Sequence, residues 1–192
     1  FKKSKNTKII YCPPNTLIHS MIKRLKNSQI EVGAQNCHEN DSYGAFTGSV
    51  NSMMLKNVGA KYVIIGHSEN RSSGETDKQI NLKIKSAIKS GLKIIFCIGE
   101  TYSQKRKKIT KKILSRQIST GLKKIKNKKN IIIAYEPVWS IGSGLIPKNS
   151  EIIENVKFIK KKLKGINVLY GGSVNPKNIN VLKKIDNVNG FL

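Results

Sequence analysis

Short apolar runs recur along the 192-residue chain, starting near residues 8, 30, 61, 93, 131, 166 and 189, with helix-spaced apolar residues between them. The runs are apolar almost throughout rather than alternating. That pattern marks strands buried on both faces, as in a parallel sheet covered by helices. A β-then-α repeat of this kind fits an open doubly wound sheet or a (β/α)8 barrel. No glycine-rich dinucleotide fingerprint follows any run, which weighs against the open sheet. The distinctive polar residues fall just past the ends of the runs: Asn36, His67, Glu100, Glu136 and Ser173. Barrel enzymes build their sites on that face, so the pattern predicts a barrel in a single domain over 1–192.

Between the runs, Asn15 is placed to cap a helix carrying Leu17, Met21, Ile22 and Leu25 on one face. Residues 50–58 read as a short helix with Met53, Met54 and Leu55 in the core, and 76–90 as a longer one. The long segment 102–126 points Ile109, Ile113, Ile118, Leu122 and Ile125 inward and lysines outward. Residues 151–164 form a further amphipathic helix. Asn175-Pro176 opens the next, with proline in its first turn.

The charge is lopsided, at +25 from 36 Lys and Arg against 11 Asp and Glu. Nucleic-acid binding is one reading of that balance. Base and phosphate recognition favours arginine, however, and the arginines here are Arg24, Arg71, Arg106 and Arg116 alone. The lysines read instead as solvated helix faces, and no nucleic-acid partner is expected. No run reaches the roughly 18–20 apolar residues of a membrane span, so no membrane partner is expected either. Cys12, Cys37 and Cys97 are odd in number and widely spaced, which predicts reduced thiols in a cytoplasmic protein. With His38 they offer no metal-ligand spacing, and no metal or cofactor is expected.

The stretch 134–144, A-Y-E-P-V-W-S-I-G-S-G, ends an apolar run abruptly on Glu136. Proline stops the ladder there, and Gly142 and Gly144 allow backbone N–H groups to approach a ligand. This suits a base beneath a movable lid. By itself it suits equally well a solvated strand-end acid beside an ordinary loop. Acid placement adds a bias toward the first: Glu69, Glu75, Asp77, Glu100 and Glu136 lie in or beside the loops after the runs, while lysine covers the helix faces.

Seven motifs in order resemble the triosephosphate isomerase family: G-A-Q-N at 33–36, G-A-F-T-G at 44–48, Y-V-I-I-G-H-S-E-N-R at 62–71, G-E-T-D at 74–77, F-C-I-G-E-T at 96–101, the 134–144 stretch, and Y-G-G-S-V at 170–174. The resemblance covers essentially the whole chain and implies a TIM (β/α)8 barrel, incomplete here, with about strands 2 to 7 and the start of 8. It implies interconversion of dihydroxyacetone phosphate and D-glyceraldehyde 3-phosphate through an enediolate, in glycolysis and gluconeogenesis, by a cytoplasmic homodimer. Glu136 matches the family's base and His67 its electrophile. Glu69 matches the nearby supporting acid, and Gly142 and Ser173 match the residues whose N–H groups hold the substrate phosphate. Trp139 belongs to the lid in that pattern, and Cys97 packs near the base.

Some features depart from the family. Its opening strand carries an N-x-K stretch with a site lysine, and no such strand precedes Lys8. Its Gly-Gly phosphate turn and final helix have no counterpart before Leu192. The chain begins with Phe1 rather than Met, so a partial sequence is expected, with little activity of its own. Ser49 and Asn70 replace the usual Glu and Arg, which bears on the subunit contact. A rival reading is a degenerate barrel fragment acting as a basic RNA- or protein-binding module. It predicts scattered loss of His67, Glu136 and the lid glycines, all of which are present.

Overall fold

A computed structural model describes residues 7–143 and 145–192; Gly144, expected above as the second glycine of a lid, lies outside the described residues. The chain folds as two compact units. One ends at Ile65 and resumes over Leu82–Ile94; the other comprises Gly66–Asn81 and Ile95–Leu192.

The first unit contains strands β1 (Ile9–Tyr11), β2 (Ile30–Ala34) and β3 (Tyr62–Ile65), with helices α1 (Ile18–Arg24) and α2 (Ser52–Asn57). Ile9 pairs with Ile30 and Gly33 with Tyr62, both in parallel register. Val32, Ala34, Val63 and Ile65 are buried with Ile18, Leu55 and Ile84, as unbroken apolar strands require. Asn51 caps α2, its Oδ1 accepting the Met54 N–H at 2.9 Å. Asn15 does not cap α1. It lies in a 3-10 turn over Asn15–Leu17 that pushes the helix start on to Ile18. Ile18 is therefore the residue that buries, while Leu17 is 44% exposed.

Helix α4 (Asp77–Lys89) and strand β4 (Lys93–Ile98) each begin in one unit and end in the other. The second unit adds β5 (Ile131–Tyr135), β6 (Asn167–Tyr170) and β7 (Gly190–Phe191). Its helices are α3 (Ser68–Ser72), α5 (Tyr102–Arg106), α6 (Thr110–Gly121), α7 (Asn149–Lys162) and α8 (Ile179–Leu182). Ile132 pairs with Asn167 and Leu169 with Gly190, again in parallel. Ile133, Ala134, Val168 and Tyr170 are buried among Ile113, Leu114, Ile152, Val156 and Ile159.

Strand order follows chain order from β1 to β7. A doubly wound sheet reverses order at its switch point, so this order is that of a (β/α)8 barrel, of which the described residues carry seven strands. The segment expected as one helix over 102–126 is two. Lys108 adopts φ +56° between α5 and α6; the inward apolar stripe starts at Ile109, wholly after this turn, and α5 buries no residue, so the spacing of the stripe carries no trace of the break. The helix expected at Pro176 begins at Ile179, because the Asn175 side chain accepts the N–H groups of Lys177 and Asn178 and holds a turn there.

Candidate active site

The site residues all belong to the second unit, just past the ends of its strands. After β3 the chain turns at Gly66, and His67 serves as N-cap of α3. Its Nδ1 accepts the backbone N–H of Glu69 at 3.4 Å. A ring nitrogen that accepts must keep its lone pair, so in the neutral imidazole the proton sits on Nε2. Arg71 fixes this turn. Its guanidinium donates to the Gly66 carbonyl at 2.7 Å, the Cys97 carbonyl at 3.0 Å and Asp77 Oδ1 at 2.6 Å. One fork thus ties the turn before α3 to the end of β4 and the start of α4.

The apolar run of β5 delivers Glu136 to the same end. Its backbone N–H donates to the Ile98 carbonyl at 2.8 Å, and its side chain is 3% exposed. Oε1 lies 3.5 Å from His67 Nε2, the ring nitrogen opposite the one that accepts the Glu69 N–H. Burial pushes the Glu136 carboxyl above its ordinary value, against the pull of His67, a hydrogen bond from the Cys97 thiol and the Ser68 backbone N–H. Gly171 stands against this carboxylate: a Cβ there would come 3.0 Å from Glu136 Cγ and 3.4 Å from Oε1. The Y-G-G-S turn and the Glu136 side chain therefore need each other's shape.

The loop that follows is tied down at its start. Trp139 Nε1 donates to Glu100 Oε1 at 2.9 Å, and Lys105 Nζ sits 3.6 Å from the indole centroid. Glu100 is buried, which pushes its carboxyl up against the pull of that indole N–H. Tyr135 OH lies 3.3 Å from the same carboxylate and accepts Asn155 Nδ2 at 2.8 Å. Ser140, also buried, donates to the Leu145 carbonyl at 2.6 Å. Its own carbonyl accepts Ser173 Oγ. Ser173 takes φ +39°, a left-handed conformation costing about 1 kcal/mol in a non-glycine residue. Asn178 Nδ2 at 2.8 Å and Asn175 Nδ2 at 3.3 Å hold its carbonyl. Gly142, at φ +66°, is exposed at the loop tip, where a Cβ would meet nothing within 4 Å.

Of the expected site residues, His67 and Glu136 face each other and Ser173 is bonded to the loop that follows Glu136. Glu69 meets His67 mainly through its backbone. Its carboxylate, 86% exposed, lies 3.7 Å from Nδ1. Arg71, Glu100 and Gln117 carry structural weight at the site that motif reading did not assign. Glu100 had a signal, an acid after an apolar run, and Arg71 closes the motif at 62–71; Gln117 had none beyond its residue type. Among the described residues no group of three or more His, Cys, Asp or Glu could hold a metal ion, and no helix is long and apolar enough to cross a membrane.

The sequence profile of the triosephosphate isomerase family matches residues 1–192. The chain is 46% identical over 190 residues to triosephosphate isomerase of Thermodesulfovibrio yellowstonii, covering 94% of this chain and 76% of that protein. It is 40% identical to the Geotalea uraniireducens enzyme, covering 100% and 80%. The crystal structure of triosephosphate isomerase from Bartonella henselae superposes with a TM-score of 0.87 at 38% identity, over 95% of this chain and 78% of that one.

Proposed function

Because the chain belongs to the triosephosphate isomerase family, and is thereby an aldose–ketose isomerase acting on a triose phosphate, we propose that Glu136 and His67 are the pair that move its protons. Glu136 takes a proton from the carbon beside the substrate carbonyl. His67 donates from Nε2 to that carbonyl oxygen, and an enediolate forms. Return of the proton to the neighbouring carbon completes the exchange between dihydroxyacetone phosphate and D-glyceraldehyde 3-phosphate.

The observation that carries this reading is the 3.5 Å approach of a buried carboxylate to Nε2 of His67, the ring nitrogen that does not accept the Glu69 N–H. A carboxylate held out of water is a stronger base toward carbon, and a neutral imidazole can donate to a developing oxyanion and take the proton back. This family is itself a standard example of that pairing. The N–H groups of Gly142 and Ser173 hold the phosphate. The left-handed turn at Ser173 supports this, since such turns let successive N–H groups converge on an anion. Glu69 supports His67 through the N–H that fixes its tautomer.

The working form is a cytoplasmic homodimer built from one barrel domain per subunit. Tyr43 and Phe46, exposed on the loop between β2 and α2, supply an apolar tip for the partner. Ser49 and Asn70 adjust that contact. The test is isomerisation in deuterated water by the protein as the cell makes it. Deuterium should enter the product at the carbon that exchanges its proton, and the Glu136→Gln variant should neither turn over nor exchange. Turnover by that variant at the wild-type rate would remove the mechanism.

A further inference from the structure

We infer that Gln117, on α6, is a positioning residue for this reaction, acting through Gly99 on the backbone of Glu136. The inference rests on the reading of Glu136 as the base. Where β4 ends, the Ile98 carbonyl accepts the Glu136 N–H at 2.8 Å and the Glu100 carbonyl accepts the Val138 N–H at 3.0 Å. These two bonds bracket Gly99. Between them the two backbones come as close as a missing side chain allows, for a Cβ on Gly99 would lie 1.7 Å from the Glu136 carbonyl oxygen. Glu136 is therefore seated on the Gly99 peptide, and wherever that peptide moves the base must follow.

Gly99 has no side chain to anchor it, and its own N–H and C=O lie on the other side of the strand. Both are taken by one amide: Gly99 N–H donates to Gln117 Oε1 at 2.9 Å, and Gln117 Nε2 donates to the Gly99 carbonyl at 3.0 Å. Gln117 is itself buried, 4% exposed, so no water competes for either bond. A primary amide is the group that satisfies both partners at once. A carboxylate can only accept, and an apolar side chain offers nothing. The clamp thus fixes, from behind the strand, the carboxylate that stands 3.5 Å from His67 Nε2.

The test is kinetics of Gln117→Met and Gln117→Glu in the complete protein, each also made with Glu136→Asp. Gln117→Met should lower kcat about 10- to 100-fold with KM within about twofold, since a misplacement on the order of 1 Å costs that much. In the Glu136→Asp background, where the carboxylate is already withdrawn, the same change should cost less than about threefold. A merely structural role would cost the same factor in both backgrounds. Gln117→Glu should regain turnover as pH falls, because only the protonated acid can both accept from N–H and donate to C=O. Equal factors in the two backgrounds, a pH profile for Gln117→Glu parallel to wild type, or unchanged kcat in Gln117→Met would each overturn the proposal. If the unmodified protein shows no isomerase turnover, the functional reading fails and the proposal falls with it.

Discussion

Replacing Gly99 by alanine tests the closest backbone approach in the site. The added methyl would lie 1.7 Å from the Glu136 carbonyl oxygen and 2.5 Å from its carbon, both backbone atoms that no rotamer can move. Gly99 is not among the residues with positive φ, so alanine brings no conformational strain and the penalty is purely steric. Reaching even 3.0 Å requires the two segments to part by roughly 1.3 Å. The bonds from Glu136 to Ile98 and from Val138 to Glu100, now 2.8 and 3.0 Å, would then exceed hydrogen-bonding range. Two such bonds are worth about 1 kcal/mol each. Overpacking adds about 1–3 kcal/mol. The expected destabilisation is therefore about 3–5 kcal/mol, a large share of the roughly 5–15 kcal/mol that holds a typical domain. Turnover should fall about 100-fold in the fraction that remains folded, because Glu136, the proposed base, is displaced by more than 1 Å. Urea unfolding followed by far-ultraviolet circular dichroism, with kcat measured below the transition, reads both. A loss under about 1 kcal/mol with turnover unchanged would refute the close packing on which the argument depends.

Three further outcomes are expected. Glu136→Asp, which withdraws the carboxylate by one methylene, should lower kcat about 100-fold or more with KM changed only a few-fold, and His67→Gln should do likewise; steady-state kinetics in both directions checks this. Burial raises the Glu136 carboxyl in the folded state, so the folded chain holds that proton more tightly than the unfolded one. Its contribution to stability is full below the ordinary value of 4.5 and is lost as pH rises through the folded value. Glu136→Gln should accordingly melt higher than wild type at neutral pH, with the advantage shrinking toward acid; an advantage that grows toward acid would contradict the burial. Arg71→Lys keeps the charge but cannot reach Gly66, Cys97 and Asp77 together, and should cost about 2–4 kcal/mol in denaturant titration.

Much of the site was legible along the chain because each of its parts is local. A strand buried on both faces must be apolar throughout, and the first polar residue after it marks the strand's end. His67, Glu100, Glu136 and Ser173 could all be found that way. The β/α repeat narrowed the fold for the same reason. Capping was less legible: Asn15 and Asn175 are good caps by type, but a 3-10 turn and an Asx turn compete for the same backbone groups. The break at Lys108 was hidden because it precedes the whole apolar stripe, which starts at Ile109 and so carries no trace of it.

What the sequence determined by itself was therefore the kind of sheet, the end of it at which the candidate site lies, and the polar residues at that end. Tertiary structure alone decided which of them face each other and what keeps them there. That Nε2 of His67 meets Oε1 of Glu136 follows from two strands delivering their next residues to one place. That Glu136 rests on Gly99, Gly99 on Gln117, and the His67 turn on Arg71 depends on contacts between residues far apart in the chain. No spacing along a sequence encodes such contacts, because they exist only once the strands have paired and the helices have packed over them.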